Sequence, residues 1–361
     1  MTAALYNGRF LGRTPSGVDR FAIELLAAVM RQGQPRSEGT AALQLAVPGA
    51  ANIQLPQGLR DAQLLSTGAH RGQWWEQTAL PRAAGDRPLV SLCNTAPAFR
   101  ENQLVVIHDA ATLANPTNFS LAFRSWYRVL LAALMRRARV VASVSKFSAD
   151  ELTRHLGRRA RGIEVIHEGG EQILRLPADH RVIERLGLQG RRYVLAVGNR
   201  SPNKNFGAVL NALALIDDPN LLLVAAGGGN SRVFADVEMV DPRLISTGFV
   251  SDAQLRALYE NAVCFVFPSF YEGFGLPPLE AMCCGCPVIV ANTSSLPEVC
   301  ADAALYCDPT DPATLARQLR RLLESSALRA ELRAAGHGRA AQFGWDKAAR
   351  HFNQILAAQF A

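Results

Sequence analysis

Two glutamates lie close together in a segment rich in glycine and proline. Glu272 and Glu280 enclose the residues Gly-Phe-Gly-Leu-Pro-Pro-Leu, and this segment follows an apolar run, Val263–Phe267. The pattern predicts a strand, a glycine loop and a helix start, because glycine allows unusual dihedrals and proline fits the first helical turn. The unpaired N–H groups and the dipole of such a helix start attract anions, a diphosphate among them.

Carboxylates beside a phosphate-binding loop need partners other than the phosphate. Sugar hydroxyl groups can donate hydrogen bonds to a carboxylate, so we expect Glu272 to hold a sugar and Glu280 to hold a ribose. The alternative interpretation is an acid on a surface loop and an unrelated acid in a helix. The glycine and proline residues around the pair favour the binding interpretation.

Two cations, Arg200 and Lys204, follow a predicted buried strand, Tyr193–Val197. A nucleoside diphosphate gains negative charge as it leaves, and fixed cations at the carboxyl end of a strand stabilise that charge without a metal. We therefore expect both residues to act on a leaving diphosphate. A solvated turn ahead of a capped helix is the alternative interpretation.

Two further candidate sites lie in the first half of the chain. Gly17 opens the predicted helix Val18–Arg31, after a loop that lacks the G-x-G-x-x-G spacing of dinucleotide-binding proteins. His108 and Asp109 stand at the end of the predicted strand Leu104–His108, at the edge where parallel sheets bind ligands. A histidine there suits a general base. The alternatives are a plain turn at Gly17 and a helix-capping pair at His108 and Asp109.

Two weaker candidates adjoin other predicted elements. Ser145 and Lys146 come at the end of a predicted strand, while Phe249 and Val250 precede a predicted helix. The next residue, Ser251, is equally well explained as the N-cap of that helix.

The segment E-G-F-G-L-P-P-L-E-A-M, which starts at Glu272, resembles family 4 glycosyltransferases, as do the later segments C-G-C-P-V-I-V-A and S-S-L-P-E-V. These are retaining enzymes of the GT-B fold, and their signature is two glutamates separated by seven residues. The resemblance implies that Glu272 contacts the donor sugar and that Glu280 binds the ribose. It also implies that the amides of Phe274, Gly275 and Leu276 support the sugar or the phosphate.

The resemblance implies roles for the remaining candidates as well. In this family, a loop with arginine and lysine grips the diphosphate, here Arg200 and Lys204. A Gly-Val pair, here beginning at Gly17, approaches the diphosphate and the acceptor. The other implied roles are donor-sugar binding near the 6-hydroxyl for His108, a place near the acceptor for Asp109, a place in the cleft for Ser145 and Lys146, and the nucleobase pocket for Phe249 and Val250. The segment His167–Glu171 departs from the Pro-Asn-Gly of many members, which puts the hinge geometry in question.

Three segments resemble bacterial mannosyltransferases of surface polysaccharide assembly: Gly17–Arg20, His108-Asp109 and Pro202–Asn205. This implies GDP-mannose as the donor and a glycan or lipid-linked saccharide as the acceptor. Because the sequence lacks aligned DxD-type carboxylates that could hold a metal, we expect transfer that needs no metal or other cofactor. UDP-sugars and dTDP-rhamnose stay open as donors. A nucleotide-sugar-binding subunit without catalytic activity stays open as a function.

Short apolar runs alternate with amphipathic stretches along the chain, which is typical of a parallel α/β sheet. In the first half the predicted strands are Leu43–Val47, Pro88–Cys93, Leu104–His108, Val140–Val144 and Ile163–Ile166, and the predicted helices are Val18–Arg31, Leu121–Arg137 and Ser148–Leu156. The pattern restarts at Tyr193, so we predict two Rossmann-like domains that face each other across a cleft (GT-B). The predicted bounds are 1–170 for an N-terminal acceptor domain, 171–345 for a C-terminal nucleotide-sugar donor domain, and 346–361 for a helix that crosses back. We expect His167–Gly190 to link the domains.

The composition is that of a folded protein. Of the 361 residues, 49% are hydrophobic and 19% are charged, which allows two sizeable cores and argues against disorder. No apolar run is long enough to span a membrane, and the first residues lack the features of a secretory signal. We therefore expect a cytoplasmic protein. Its seven cysteines lack paired spacing, so we expect reduced core residues and no metal site at Cys283, Cys284 and Cys286.

The net charge of +7 favours anionic partners. The densest basic stretch comprises Arg124, Arg128, Arg136, Arg137, Arg139, Lys146, Arg154, Arg158, Arg159 and Arg161. No nucleic-acid-binding module surrounds it, so we expect no nucleic-acid partner. One interpretation of this stretch is a solvated basic face. The other is a peripheral contact between Phe123–Arg139, which contains Trp126 and Tyr127, and the anionic inner face of the cell membrane.

Overall fold

The computed structural model describes residues 4–13, 15–33, 43–49, 53–157, 159, 162–199, 201–228 and 241–360. The chain divides into two compact units. Unit 1 comprises Met1–Glu168 and Trp345–Ala361, and unit 2 comprises Gly169–Gly344. The divisions at 168/169 and 344/345 lie beside the expected bounds at 170/171 and 345/346.

Unit 1 contains a seven-stranded sheet in which every strand pair is parallel. The strands are β1 (Leu5–Asn7), β2 (Gln44–Pro48), β3 (Gln63–Thr67), β4 (Leu89–Ser91), β5 (Gln103–Val106), β6 (Val140–Ser143) and β7 (Glu164–Val165). Their spatial order is β3-β2-β1-β4-β5-β6-β7. β1, β4 and β5 are buried throughout, as expected of parallel strands covered on both faces.

The helices of unit 1 join successive strands, except for the last one. They are α1 (Gly17–Gln32), α2 (Gly72–Ala84), α3 (Ala111–Ala114), α4 (Leu121–Arg137) and α5 (Lys146–Leu156). The C-terminal helix (Trp345–Phe360) packs against α1, where the buried rings of Trp345 and Phe21 meet edge to face. An ion pair between Arg31 and Asp346 adds to this contact. The end of the chain therefore belongs to unit 1.

Unit 2 contains a six-stranded sheet that is also entirely parallel. The strands are β8 (Tyr193–Val197), β9 (Leu222–Ala226), β10 (Leu244–Gly248), β11 (Cys264–Phe267), β12 (Val288–Ala291) and β13 (Leu305–Cys307), in the order β10-β9-β8-β11-β12-β13. The helices are α6 (Arg181–Arg185), α7 (Phe206–Ile216), α8 (Asp252–Asn261), α9 (Leu276–Cys283), α10 (Leu296–Cys300), α11 (Pro312–Glu324) and α12 (Ser326–Ala340); the C-terminal helix of unit 1 is therefore α13. The predicted class, two parallel α/β domains, is confirmed.

Each sheet has a point at which the strand order reverses. The first strand of unit 1, β1, lies between β2 and β4, so the chain builds the sheet outward in both directions from it. In unit 2, β8 lies between β9 and β11 in the same way. Ligands of open parallel sheets bind beyond the carboxyl ends of the strands at such a reversal. The loops after β8 and β11 are therefore the expected binding loops of unit 2.

The chain passes from unit 1 to unit 2 within the segment His167–Gly190, which was expected to link the domains, and from Gly169 onward the segment packs onto unit 2. A Cβ atom at Gly170 would lie 2.9 Å from Leu279 Cγ, so glycine permits this close approach. Asp179 N donates a hydrogen bond to Ala253 O (2.9 Å). Sequence reasoning missed these contacts because they depend on α8 and α9, which lie far along the chain.

None of the helices in the described ranges combines the length and the apolarity that crossing a membrane requires.

Candidate active site

Lys204 and Glu272 form an ion pair at the reversal point of the second sheet. Lys204 follows β8 and Glu272 follows β11, and these two strands are neighbours. Lys204 Nζ lies 2.7 Å from Glu272 Oε1, and the side chains are only 17% and 14% exposed. Lys204 Nζ also lies 4.6 Å from the centre of the Phe267 ring, a favourable cation–π distance. The structure thus brings together two residues that were predicted to bind the donor.

The loop that carries Lys204 is tied to the loop that carries Glu272 by contacts besides the ion pair. Asn203 Nδ2 donates a hydrogen bond to Tyr271 O (2.7 Å). Phe270 N donates in return to Asn203 O (3.0 Å). These two hydrogen bonds fix the separation of the two loops, and they therefore help to position Lys204 and Glu272 relative to each other.

Asn205 and Gly198 shape the turn around Lys204. Asn205 adopts the left-handed conformation (φ 54°), which asparagine tolerates better than most residues. Its Nδ2 donates to Pro268 O (3.1 Å) and Pro309 O (2.7 Å), so it joins three loops. A Cβ atom at Gly198 would lie only 3.3 Å from the Lys204 side chain, and glycine therefore leaves room for the lysine stem.

Two serines after β12 hold the loop that carries Glu272. Ser294 Oγ accepts a hydrogen bond from Glu272 N (3.1 Å). The Oγ atom of the buried Ser295 is within hydrogen-bond distance of two carbonyl oxygens, Glu272 O (2.9 Å) and Phe274 O (2.7 Å), to which its hydroxyl group can donate. Sequence reasoning quoted this serine pair as part of the family pattern but gave it no role. Its role is to position the main chain on either side of Gly273.

The start of α9 has the geometry expected of an anion site. Gly275 has φ 107°, and a Cβ atom there would lie 2.8 Å from Leu296 Cδ2, so the position requires glycine. Pro277 and Pro278 carry no N–H. The amides of Gly275 and Leu276 are therefore the N–H donors that this helix start presents first, with the positive end of the helix dipole behind them.

Glu280 lies in the middle of α9 and is largely buried. Gln172 Nε2 donates a hydrogen bond to Glu280 Oε1 at 2.6 Å, which fixes that side of the carboxylate. The proposed contact between Glu280 and a ribose stays a prediction. A ribose hydroxyl would have to bind alongside Gln172.

The residues expected at the nucleobase differ in exposure. Phe249 is exposed, whereas Val250 is almost buried. Ser251 is the N-cap of α8: its Oγ accepts from Gln254 N (3.3 Å), and Gln254 Oε1 accepts from Ser251 N (3.2 Å) in a capping box. The capping explanation for Ser251 is confirmed, while the base-binding role of Phe249 and Val250 stays a prediction.

His108 is nearly buried in unit 1, just beyond the end of β5. Its Nε2 lies 2.9 Å from Leu92 O, and because a carbonyl can only accept, we assign the ring proton to Nε2. The Phe21 ring packs edge to face on the imidazole, with the centroids 4.7 Å apart. Nδ1 lies 3.7 Å from Glu168 Oε1, beyond hydrogen-bond distance. In the neutral ring, Nδ1 is therefore the atom that can accept a hydrogen bond from a ligand.

Asp109 and Gly17 stand at helix starts of unit 1. Asp109 Oδ1 accepts a hydrogen bond from Ala111 N (2.8 Å), the first residue of α3, while the N-cap of this helix is Ala110. Gly17 is the first residue of α1, and a Cβ atom added there meets no atom of the described residues within 4 Å. The acceptor role of Asp109 and the diphosphate role of Gly17 stay predictions.

Ser145 and Lys146 begin α5. The buried Ser145 Oγ accepts from Ser148 N (3.0 Å) as the N-cap of this helix. Lys146 is exposed and its Nζ lies 2.8 Å from Asp150 Oδ2. The cleft roles of Ser145 and Lys146 stay predictions. Arg200, the other expected cation, lies outside the described residues.

Sequence reasoning missed a buried polar network at the reversal point of the first sheet. Glu76 is fully buried in α2. Its Oε1 accepts from Asn7 Nδ2 (2.7 Å) and Thr95 Oγ1 (3.1 Å) and lies 3.3 Å from Arg9 Nε. Burial raises the pKa of Glu76, although Arg9 and the two hydrogen bonds oppose the shift. The sequence feature that could have indicated this network is the polar segment Asn7-Gly8-Arg9, which begins at the last residue of β1.

Cys284 and Cys286 are buried, and Cys283 is half-buried. Burial raises the pKa of the Cys283 thiol to about 12. Across the ranges that the structure describes, no group of three or more His, Cys, Asp or Glu side chains could hold a metal ion. That transfer needs no metal stays a prediction.

Comparison with known proteins gives the family of this chain with two parallel sheets. Residues 181–339 match the family described as Glycosyl transferases group 1. The O-antigen chain mannosyltransferase B of Escherichia coli is 32% identical over 257 residues, which cover 68% of this chain and 68% of that protein. The chain belongs to the group 1 glycosyltransferases, and the predicted resemblance is confirmed.

Other relatives differ more in length or in sequence. The Serotype-specific mannosyltransferase WbdA of Escherichia coli is 29% identical over 265 residues, and the match covers 66% of this chain but only 31% of that protein. Among solved structures, Anabaena Alr3699/HepE in complex with UDP-glucose has a TM-score of 0.77 at 18% identity, with 99% of this chain and 100% of that chain covered. This similarity confirms the GT-B fold.

Proposed function

We propose that this glycosyltransferase moves mannose from GDP-mannose onto a glycan or lipid-linked saccharide acceptor in polysaccharide biosynthesis. The observation that carries the proposal is the pair of Lys204 and Glu272 beside the N-terminus of α9. The choice of mannose is supported by relatives that are named as O-antigen mannosyltransferases.

The pair offers the two kinds of contact that a nucleotide-sugar requires. A cation and helix-start amides suit the diphosphate, while a carboxylate suits the hydroxyl groups of the sugar. Without a donor, the lysine and the glutamate satisfy each other at 2.7 Å. When the donor binds, phosphate oxygens replace Glu272 as partners of Lys204, and sugar hydroxyls replace Lys204 as partners of Glu272.

We propose that the transfer retains the configuration at the anomeric carbon. The bond from this carbon to the leaving phosphate oxygen breaks, and the bond to the acceptor oxygen forms on the same face. The proton of the acceptor hydroxyl passes to the departing phosphate oxygen, so no protein nucleophile and no metal are required. Lys204, together with Arg200, stabilises the charge that grows on the leaving diphosphate.

The test is a donor panel assayed with the full chain. GDP-mannose, UDP-glucose and dTDP-rhamnose are each incubated with the protein and methyl α-mannoside as the acceptor probe, with and without EDTA. We expect nucleotide release from GDP-mannose only, no effect of EDTA, and an α-linked product by NMR, since the mannose of the donor is also α-linked.

Each part of the proposal has its own contrary result. Release of UDP or dTDP alone would keep the transferase and replace the donor. A β-linked product would exclude retention, and loss of activity in EDTA would exclude metal-free transfer. Nucleotide binding without release from any donor, in this assay and with lipid-linked saccharide acceptors, would favour the non-catalytic subunit.

A further inference from the structure

Unit 1 has a gap in its layer of helices. Parallel strands are usually joined by a crossover that contains a helix. The crossover from β4 to β5, residues 92–102, contains none, while the preceding and following crossovers carry α2 and α4. A cavity of about 1000 Å³ lies in this gap, lined by residues of α2, of the crossover and of α4.

Large apolar side chains around this cavity are exposed to solvent. Trp74 from α2 is 76% exposed, Phe99 from the crossover is 80% exposed, and Val129 from α4 is 65% exposed. Contiguous apolar surface of this kind marks an interaction site in a soluble domain. Val129 is not needed for the packing of α4, because this helix packs on the sheet through a face that includes Leu131 and Leu134.

The charge around the cavity has a single sign. Arg128, Arg136 and Arg137 line it, and none of the lining residues is acidic. Among the described residues, none of these three arginines has an ion-pair partner. Arg137 lies over the Phe99 ring at 5.4 Å, so cation and apolar group are presented together.

This combination matches an anionic bilayer better than a protein. Tryptophan favours the boundary between lipid tails and headgroups, and arginine binds the phosphate of the headgroups. A second copy of this chain would present the same positive charge, so like charges oppose self-association through this face. The cavity adds an apolar volume that a hydrocarbon chain can fill.

We propose that the α2–α4 surface, defined by Trp74, Phe99, Val129, Arg128, Arg136 and Arg137, docks on an anionic lipid bilayer. Its arginines bind lipid phosphates, and lipid hydrocarbon enters the cavity. This proposal takes up the membrane interpretation of Phe123–Arg139, one of the two that the sequence left open, and adds α2 and the β4–β5 crossover to the contact. The proposal does not depend on the donor or on the mechanism of transfer.

Vesicle flotation tests the proposal with the full chain. Vesicles of phosphatidylcholine alone are compared with vesicles that also contain phosphatidylglycerol, at low and high salt. We expect flotation with the anionic vesicles only, and weaker flotation in high salt because salt screens the arginine–phosphate attraction. Each arginine removed should weaken binding by about fivefold.

Two variants separate the apolar part from the charged part. Trp74→Ser combined with Phe99→Ser removes exposed apolar groups, and its matched control is Leu176→Ser with Leu215→Ser, two exposed leucines of unit 2. Arg136→Gln combined with Arg137→Gln removes two charges, and its control is Arg317→Gln with Arg350→Gln, two exposed arginines elsewhere. We expect both surface variants to lose flotation, both controls to keep it, and all four to unfold at the temperature of the wild type.

Three results would overturn the proposal. The first is that the wild type fails to float with anionic vesicles. The second is that the surface variants float as well as their controls. The third is that the wild type is a dimer by ultracentrifugation and that Trp74→Ser with Phe99→Ser makes it monomeric, which would assign the surface to a second copy of the chain.

Discussion

Lys204 Nζ lies 2.7 Å from Glu272 Oε1, although the two residues are 68 positions apart in the sequence. They meet because β8 and β11 are neighbours at the point where the strand order of the second sheet reverses. In the structure without a donor, each residue neutralises the other. A nucleotide-sugar that binds here must therefore exchange one ion pair for two sets of contacts, one to phosphate and one to sugar.

The first prediction concerns Glu272. Glu272→Gln keeps the size of the side chain but weakens its hydrogen bonds to sugar hydroxyls, so kcat/KM for GDP-mannose should fall by roughly 100-fold to 1,000-fold. Steady-state kinetics measure this. Glu324→Gln, an exposed glutamate of α11, is the control and should leave kcat/KM unchanged. A Glu272→Gln enzyme with wild-type kinetics would remove Glu272 from the donor site.

The second prediction concerns Gly275, whose backbone has φ 107° and whose missing Cβ would meet Leu296. Gly275→Ala should lower the free energy of unfolding by roughly 1–3 kcal/mol through backbone strain. The control is Gly207→Ala in α7, where a Cβ meets nothing within 4 Å and alanine should stabilise the helix by up to about 1 kcal/mol. Urea unfolding of both variants decides the matter. Equal stability of the two would show that the loop before α9 tolerates a side chain.

The strand and helix starts around Glu272 could be predicted from sequence because each local signal agreed with the others. The apolar run of β11, the glycines after it and the prolines of α9 all favour one arrangement. Four of the described elements of unit 1 were missed because their own sequence signals are weak: β1, β3, α2 and α3. β1 and α3 have only three and four residues, and the side chains of β3 are mostly exposed at the sheet edge. α2 contains Pro81 and buries the charged Glu76 beside its apolar residues.

Contacts between distant segments could not be predicted in the same way. The motifs place Lys204 and Glu272 each at a strand end, but the distance between them depends on which strands are neighbours. The network around Glu76 was not predicted for the same reason, because it joins α2 to the ends of β1 and β4, which are distant in the sequence. The gap beside α4 follows from a crossover without a helix, and its sequence, residues 92–102, carries no motif.

The third prediction concerns the pH dependence of stability. Burial raises the pKa of Glu76 above its ordinary value of 4.5, so between these two values the folded protein keeps a proton that the unfolded chain has lost. The stability contributed by Glu76 must then fall as the pH rises through this window. As the pH rises above 4.5, the unfolding free energy of the wild type should therefore fall relative to that of Glu76→Gln. Urea titrations at several pH values measure it, and a difference that stays constant or grows would contradict the shift.

The fourth prediction concerns His108 and the 6-hydroxyl of the donor sugar. If Nδ1 accepts a hydrogen bond from this hydroxyl, His108→Ala should reduce kcat/KM for GDP-mannose by roughly tenfold or more. The same variant should have little further effect on a GDP-6-deoxy-mannose donor, which lacks the hydroxyl. Thermal unfolding of the variant controls for the loss of a buried ring. Equal reductions with both donors would leave His108 without a contact to the 6-hydroxyl.

The most direct test of the central claim is the rate of GDP release from GDP-mannose by Lys204→Met, with methyl α-mannoside or a lipid-linked saccharide as the acceptor and the Kd of the donor measured in parallel. The side chain of methionine keeps much of the lysine stem but carries no charge, and Lys347→Met in α13 is the control. The account predicts that release falls by at least about 100-fold while the Kd rises by less than about tenfold, because Lys204 acts mainly on charge that grows as the diphosphate leaves. Release at the wild-type rate from a Lys204→Met enzyme that still binds the donor would contradict the account.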